Sequence, residues 1–361
     1  MMMTEGAGEF NSAVGAVPAV LPRSTSVGAR TAIPIILSAT EFEAAGARMQ
    51  VGGLRVIDRA IRLLARLRDG HVVIACDGSV PVPRRLPANM ERREIDGNVT
   101  DAIERLRAEL GPEAMVVGAD NVWLQPARFD RGIRVVDAAS RRAAAEAVFG
   151  DTQLDTVGLV DRFLNRKIAM RLTQLFLVHL PAAPALLTLI AGFVGVYGAL
   201  MVAIGTPASV LTGFVTLEGF AILDGCAGEL ARVRLHQTAF GAWLDTLVGD
   251  FVNVVMILAV GLALWHHGGT YLDMKMALAA AAMTLFYIVV SYRELMRQGE
   301  GDVMKLRWWF AYGQTLKNVS GAGSNSIRGM MLLGRRDFVI VLSIGLACFD
   351  QLREIGQDAQ D

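Results

Sequence analysis

The sequence has few cysteines and few charged residues. Its three cysteines, Cys76, Cys226 and Cys348, lie far apart, so they form no CxxC motif, no zinc-ligand spacing and no disulfide framework. Charged residues make up 19% of the chain, below the ~25% typical of soluble domains. Lys+Arg and Asp+Glu number 35 each, and without a basic excess we expect no nucleic-acid partner. A hydrophobic content of 53% and a mean hydropathy of +0.41 instead indicate an integral membrane protein with a soluble part.

Long uncharged runs are confined to the second half of the chain. Residues 172–217 are 46 consecutive positions without Asp, Glu, Lys or Arg, whereas one bilayer helix needs about 20. Residues 251–272 and 276–292 add uncharged runs of 22 and 17. A last run, Phe338–Phe349, has 12 residues. These runs predict four spans, followed by a shorter segment that would add a fifth if it crosses the membrane.

Basic residues predict the orientation of these spans. Arg166 and Arg171 precede the first span, Arg232 and Arg234 follow the second, and Arg293 follows the fourth. The intervening turns, residues 205–209 and 266–270, contain no Lys or Arg. Under the positive-inside rule the basic segments are cytoplasmic. We therefore expect a multi-pass protein of the cell inner (plasma) membrane with a cytoplasmic N-terminal domain.

The first half of the chain has the pattern of a water-soluble α/β domain. Residues 1–28 show no period and predict a mobile tail, and no basic segment with an apolar core precedes the domain as in a signal peptide. Short apolar runs at 32–37, 71–75 and 114–118 predict strands, and 56–67 and 99–110 predict amphipathic helices. This alternation favours a layered, mostly parallel sheet. We divide the chain into the tail (1–28), an α/β domain (29–155), an amphipathic interfacial helix (156–180) and a polytopic α-helical membrane domain (181–361).

Charged residues cluster where two spans meet the cytoplasmic side, and ionisable groups in such positions usually line a polar cavity. The segment begins with Asp224, continues through Gly228 to Ala231-Arg232, and after eight residues reaches Gly241 and Asp245. It resembles the signature of the CDP-alcohol phosphotransferases, D-x2-D-G-x2-A-R-x8-G-x3-D-x3-D. The second and fourth acids of that signature fall on Ala227 and Gly249.

Neighbouring acids do not replace the two missing ones without a change of register. Asp250 is five residues from Asp245 and points about 140° away from it around a helix. A π-bulge would correct that register. Glu229 is likewise five residues from Asp224, and Glu218 lies six residues before it. Whether the site keeps its chemistry or has lost it therefore stays open.

The resemblance implies specific roles for these residues. Family members use their carboxylates to hold a divalent metal, which assigns Mg²⁺ or Mn²⁺ to Asp224 and Asp245. The last acid of the signature helps to deprotonate the acceptor alcohol, a catalytic role that would fall to Asp245 and Asp250 here. Gly228, Arg232 and Gly241 would bind the nucleotide. Arg166 and Lys167, in a segment similar to the family's interfacial helix, would bind phosphate. Members normally have six spans and are commonly dimeric, so we expect five or six spans and a possible homodimer.

The soluble half is similar to the opening of the sugar-nucleotidyltransferases. The similarity lies in Leu37–Met49, in Val51-Gly-Gly53, and in Gly118-Ala-Asp120, which resembles a metal-binding G-x-D. The glycine pair of the phosphate-binding loop and its lysine are missing, so we expect a retained scaffold without cytidylyltransferase activity. The order of the two domains is similar to that of the bifunctional family that joins an inositol-phosphate cytidylyltransferase to a di-inositol-phosphate phosphate synthase.

Two functions remain from the sequence. The first is a membrane transferase that moves a phosphoalcohol group from a CDP-alcohol to the hydroxyl of a lipid or polyol, with release of CMP. The alternative is a catalytically degraded family member that acts as a non-catalytic membrane partner or regulator. A carrier or channel ranks below both, because such a protein would need polar residues deep in several spans. In this sequence the polar residues of the spans cluster at one side.

Overall fold

The computed structural model describes residues 34–67, 71–124, 132–152, 160–181, 183–266, 269–299, 306 and 339–348. The predicted tail, residues 1–28, lies outside the described residues. Within them, an N-terminal α/β unit precedes a helical region, as the sequence predicts.

A parallel sheet forms the centre of the soluble domain. Its strands are β1 (Ile35–Ala39), β4 (Val72–Cys76), β5 (Met90–Glu94) and β6 (Met115–Gly118), in the order β5-β4-β1-β6. All five residues of β1 and of β4 are buried, as expected for central strands covered on both faces. β5 lies at one edge, and its sequence MERRE alternates between more and less exposed residues.

Short elements and helices surround this sheet. They are α1 (Ala44–Arg48), β2 (Gln50–Val51), β3 (Leu54–Arg55), α2 (Val56–Leu64), α3 (Val99–Leu110), β7 (Asn121–Val122), β8 (Ile133–Arg134) and α4 (Ala138–Asp151). The strand pairs β2–β3 and β7–β8 are antiparallel. Asn98 caps α3 by accepting a hydrogen bond from the Thr100 N–H, which satisfies one of the four free donors of that helix end.

The segment that leads to the membrane is helical and exposes apolar side chains. A π-helical turn, Asp161–Asn165, continues into α5 (Arg166–Leu175), and a 3₁₀ turn follows at Leu177–His179. Phe163, Leu175 and Phe176 are each more than 60% exposed, which suits a helix lying in the membrane interface.

Four described helices are long and apolar enough to cross a membrane: α6 (Pro184–Ile204), α7 (Pro207–Val233), α8 (Ala239–His266) and α9 (Tyr271–Gln298). They match the four predicted spans. The described part of the last apolar run is α10 (Val339–Cys348), ten residues long, too short to cross the membrane alone. Most residues between α9 and α10 and after α10 lie outside the described residues, so the total of five or six spans stays a prediction.

Glycines on α6 bring three spans together. α6 packs along both α7 and α8, whereas α7 and α8 contact each other only over a short stretch. A Cβ at Gly195 would lie 2.8 Å from a methyl group of Val252 on α8, and one at Gly198 would lie 3.0 Å from the Gly213 carbonyl oxygen on α7. Small residues permit such close approach between membrane helices.

The end of α7 is built into the soluble domain. Leu230 and Val233 share a buried apolar cluster with Val51, Val148 and other residues of the soluble domain. Leu235 packs against the central core and has a φ of 50°. The N–H groups of Leu235 and His236 bond to the carbonyls of Arg232 and Ala231, a Schellman ending that usually places glycine where Leu235 stands.

Candidate active site

The predicted site residues lie at the ends of two consecutive helices. Asp224, Gly228 and Arg232 are spaced i, i+4 and i+8 on α7 and therefore share one face. Gly241 and Asp245 lie in the first turns of α8. At 1.5 Å per residue, Asp224 is about 13 Å from the end of α7 and Asp245 about 9 Å from the start of α8. Both acids thus lie within about three turns of the connection between α7 and α8.

Gly228 and Arg232 contact each other along α7. A Cβ at Gly228 would lie 3.3 Å from Nη1 of Arg232, so the guanidinium lies over this glycine, on the side of Asp224. Gly241 lies in the first turn of α8, where its N–H donates to Thr238 Oγ1 over 3.0 Å. The first glycine thus makes room for a cation, and the second lies in a capped helix end.

Cations from the interfacial helix approach the same end of α7. Glu229 is buried, 5% exposed, within electrostatic reach of Arg232 and Arg166. Arg166 also donates from Nη2 to the Thr152 carbonyl at the end of α4, over 3.3 Å. Lys167 is exposed, and its Nζ lies 5.9 Å from the centre of the Phe163 ring. The structure therefore brings Arg166 toward the α7 site and turns Lys167 to the surface.

An apolar contact fills the position of the second signature acid. Ala227 is 2% exposed and shares a buried cluster with Ala169 of α5, Leu187 of α6 and Cys226. The Cys226 Sγ donates to the Ala169 carbonyl oxygen over 3.5 Å. A carboxylate at this position would have to replace these apolar contacts.

Asp250 faces the fourth span. The Tyr292 hydroxyl on α9 donates to Asp250 Oδ2 over 2.9 Å, and the Tyr292 ring makes an edge contact with Trp243 on α8, 5.4 Å between ring centres. Trp243 and Asp250 are seven residues apart and share one face of α8. α8 is α-helical throughout Ala239–His266, so no π-bulge turns Asp250 toward the direction of Asp245.

The described acids supply a sparse set of metal ligands. Among the described residues, no group of three or more His, Cys, Asp or Glu side chains could hold a metal ion by itself. Mg²⁺, however, is usually held by one or two carboxylates together with substrate phosphates and waters. Asp224 and Asp245 lie on consecutive helices and carry carboxylate oxygens, the type of donor that Mg²⁺ prefers.

Carboxylates occupy the loop that follows β1 in the soluble domain. Glu43 accepts hydrogen bonds from the Thr40 N–H and hydroxyl at 3.1 and 2.6 Å, and Asp77 accepts from the Glu41 N–H at 2.8 Å. Burial raises the pKa of Asp77, but the N–H groups of Ser79 and Glu41 outweigh it and hold that pKa below its ordinary value. The N–H groups of Thr40 and Glu41, of the kind that would bind a phosphate in such a loop, thus donate to the protein's own carboxylates.

The acid of the Gly118-Ala-Asp120 motif has a cation partner. Asp120 is 2% exposed, and its Oδ2 accepts from Arg134 Nε over 2.7 Å. The Asp120 Oδ1 also accepts from the Asn121 side chain over 3.1 Å. Sequence reasoning identified Asp120 but missed Arg134, because residues fourteen positions apart in a hairpin carry no local signal of their pairing.

Comparison with known proteins identifies the membrane region. Residues 181–335 match the family model described as CDP-alcohol phosphatidyltransferase. The chain is 36% identical over 107 residues to a "Bifunctional IPC transferase and DIPP synthase" of Aquifex aeolicus, which covers 30% of this chain and 24% of that relative. A protein of the same name from Archaeoglobus fulgidus is 31% identical over 127 residues, 35% of this chain and 24% of the relative.

A third protein of that name, from Thermococcus kodakarensis, is 28% identical over 114 residues, 30% of this chain and 25% of the relative. The chain thus spans about a quarter of the length of the curated relatives it matches. These findings confirm the resemblance that the signature predicts. Residues 181–335 of this membrane protein are a domain of the CDP-alcohol phosphatidyltransferase family.

Proposed function

We propose that the protein transfers a phosphoalcohol group from a CDP-alcohol to the hydroxyl of a lipid or polyol acceptor and releases CMP. The observation that carries this proposal is the placement of Asp224 and Arg232 at the end of α7 and Asp245 at the start of α8. Both acids lie within about three turns of the connection between α7 and α8, from where they would share one pyrophosphate at the membrane surface.

Each of these residues has a role that its chemistry supports. Asp224 and Asp245 would hold Mg²⁺ or Mn²⁺, which neutralises the charge that develops on the leaving phosphate. Arg232, lying over Gly228, presents a planar set of donors that can bind two phosphate oxygens at once. Arg166 approaches from the interfacial helix and would bind the phosphate of donor or acceptor, and Lys167, more exposed, would attract the acceptor.

The proton of the acceptor hydroxyl needs a base. Asp245 and Asp250 are the two candidates on α8, and they point in directions about 140° apart. Asp250 already accepts a hydrogen bond from Tyr292. We assign the base to Asp245 or to Asp250, and the comparison of their variants below separates the two.

A second function has its own support. Ala227 is packed among apolar side chains where the family has an acid, and the loop amides of the soluble domain bind Glu43 and Asp77. Both features favour a protein that keeps the architecture of two sites without turnover. This alternative is a non-catalytic membrane partner or regulator, and in either case we expect no cytidylyltransferase activity from the soluble domain.

The test is CMP release by the purified full chain in detergent, supplied with a panel of CDP-alcohols, membrane lipid or polyol acceptors, and Mg²⁺ or Mn²⁺. Variants Asp224→Asn, Asp245→Asn and Asp250→Asn are compared with Asp96→Asn, a matched change at an exposed residue of the soluble domain. We expect release that a chelator abolishes, that Asp96→Asn preserves, and that Asp224→Asn and Asp245→Asn reduce at least a hundredfold.

The two functions give different outcomes. Metal-dependent release identifies the donor, and the larger loss between Asp245→Asn and Asp250→Asn identifies the base. Binding of a CDP-alcohol without release of CMP from any donor would contradict the transferase and support the non-catalytic partner. Release that survives both Asp224→Asn and Asp245→Asn would contradict the proposed site.

A further inference from the structure

A cavity of about 300 Å³ lies where the soluble domain meets the first span. We call it the junction cavity. Gly53 and Arg62 line it from the soluble domain, Pro181 and Pro184 from the start of α6, and Arg234 and His236 from the turn after α7. Asp224, Arg232 and Asp245 are not among its described lining residues, so it is separate from the candidate active site.

The junction cavity gathers positive charge. Arg62 Nη1 donates to the Arg234 carbonyl over 2.8 Å. Arg234 Nη2 donates to the carbonyls of Leu177, Val178 and Leu180, so backbone contacts hold both side chains in the lining of the cavity. Burial, and next the charge of Arg62, lower the pKa of Arg234 below its ordinary value, the effect expected of like charges in one partly desolvated site. His236 adds an imidazole ring to the lining.

The acids near the cavity do not balance this charge. The described lining residues include no Asp or Glu. On α2, the acid four residues before Arg62 is Asp58, whose two oxygens accept from Arg55 at 2.7 and 2.9 Å. The cavity therefore has the electrostatic character of a site for an anion.

The position of the cavity indicates the kind of anion. Pro184 is in the first turn of α6, so the cavity lies at the level where the first span enters the membrane. The N-terminus of α6 adds the positive end of a helix dipole. Leu180 and Leu186, on either side of this start, are 49% and 51% exposed. A phosphate group fits two guanidinium groups, and an acyl chain attached to it would meet exposed apolar surface.

We propose that the junction cavity binds the phosphate group of an anionic ligand between Arg62 and Arg234. The phosphate would come from an anionic phospholipid at the membrane surface or from a soluble phosphate ester. Bound there, it would connect the soluble domain to the start of the first span. This inference does not depend on catalysis at Asp224 and Asp245.

The experiment uses the full chain in detergent and measures the shift of the thermal unfolding midpoint on titration with three probes. The probes are phosphatidylglycerol, phosphatidylcholine and inorganic phosphate. The variant Arg62→Glu reverses one charge, and Arg62→Gln keeps a donor for the Arg234 carbonyl if the reversed charge prevents folding. Arg107→Glu and Arg107→Gln are matched controls at an exposed position on α3.

We expect the wild type and both Arg107 variants to bind phosphatidylglycerol or phosphate in preference to phosphatidylcholine. The Arg62 variants should bind at least about tenfold more weakly, because they lose a charge-assisted hydrogen bond to the phosphate. A response to phosphatidylglycerol alone assigns the site to a lipid, and one to inorganic phosphate assigns it to a soluble ester.

Two results would overturn the proposal. One is the absence of any preference for the anionic probes in the wild type, and the other is equal binding by the wild type and the Arg62 variants. Asp245→Asn keeps this inference distinct from the proposed function, since it should abolish CMP release without changing the response to the three probes. A loss of that response in Asp245→Asn would place the anion in the active site and contradict a separate cavity.

Discussion

Arg59 Nη1 donates a hydrogen bond to the carbonyl oxygen of Val233 over 2.6 Å. Arg59 lies on α2 of the soluble domain and is 4% exposed, and Val233 ends α7 directly after Arg232. Burial lowers the pKa of Arg59 to about 10, so the side chain stays charged at neutral pH. A cation at the carboxyl end of a helix is favoured by the helix dipole. The soluble domain therefore holds the end of the helix that bears Asp224 and Arg232.

Replacing Arg59 should loosen this end of α7. We expect Arg59→Met to leave the Val233 carbonyl without its donor in a buried setting, at a cost of about 1–3 kcal/mol. The measurement is hydrogen exchange of the amides of residues 230–236, which should become faster, together with CMP release, which should fall. Arg66→Met, at an exposed position just after the end of α2, is the control. Unchanged exchange in Arg59→Met would show that the hydrogen bond does not hold the helix end.

Alanine substitutions at two glycines distinguish the cost of backbone strain from the loss of contact between the soluble domain and the segment before α6. Gly53 and Gly78 both have positive φ, 75° and 86°. A Cβ at Gly53 would collide with the Val178 carbonyl oxygen, whereas one at Gly78 would meet nothing within 4 Å. Both alanine substitutions should cost about 1–2 kcal/mol of backbone strain. Only Gly53→Ala should also expose the junction to limited proteolysis in the segment near residue 180. Equal cleavage of the two variants would contradict the close contact.

Restoring the two missing acids should give opposite results. Ala227→Asp would bury a carboxylate among Ala169, Leu187 and Cys226, and we expect it to lower the unfolding midpoint and to leave activity unrestored. Gly249, by contrast, is half-buried on α8, so Gly249→Asp should fold and should bind Mn²⁺ more tightly than the wild type. Paramagnetic resonance of bound Mn²⁺ measures the difference. A stable, more active Ala227→Asp would mean that the apolar cluster rearranges readily.

The hydrogen bond between Tyr292 and Asp250 predicts coupling between α8 and α9. Tyr292→Phe and Asp250→Asn should each lower stability, and the double variant should lose less than the sum, by about 0.5–3 kcal/mol. Thermal unfolding of the four proteins measures this coupling. Trp243, which contacts the same ring, supplies a fluorescence signal for the local structure. If Asp250 is also the base, Tyr292→Phe will retain CMP release and Asp250→Asn will not. Additive losses of stability would contradict the hydrogen bond.

The secondary-structure elements that depend on local sequence pattern were predicted correctly. The apolar runs of β1, β4 and β6, the amphipathic helix Val99–Leu110 and the four spans are all found. Strand β5 was missed because MERRE has no apolar run, and its charges are accommodated at a sheet edge where Arg93 pairs with Glu91 and Glu109. The acids Asp224 and Asp245 could be chosen by spacing, but the apolar packing of Ala227 depends on α5, nearly sixty residues away.

The contacts between the two halves could not be predicted in the same way. Nothing near Leu235 in the sequence indicates that a residue just after a span packs against the core of the soluble domain. Its positive φ also runs against the usual preference for glycine at that position. Such features arise from tertiary packing, which compensates for local strain of about 1–2 kcal/mol.

The apolar cluster that joins Val51 and Val148 to Leu230 and Val233 also has a consequence for biosynthesis. Residues that complete one core of the soluble domain emerge from the ribosome about eighty residues after α4, with the first span and most of the second synthesised between them. Domains generally fold as units during synthesis. This cluster cannot be completed before the second span is synthesised, so its final packing follows the synthesis of α6 and α7.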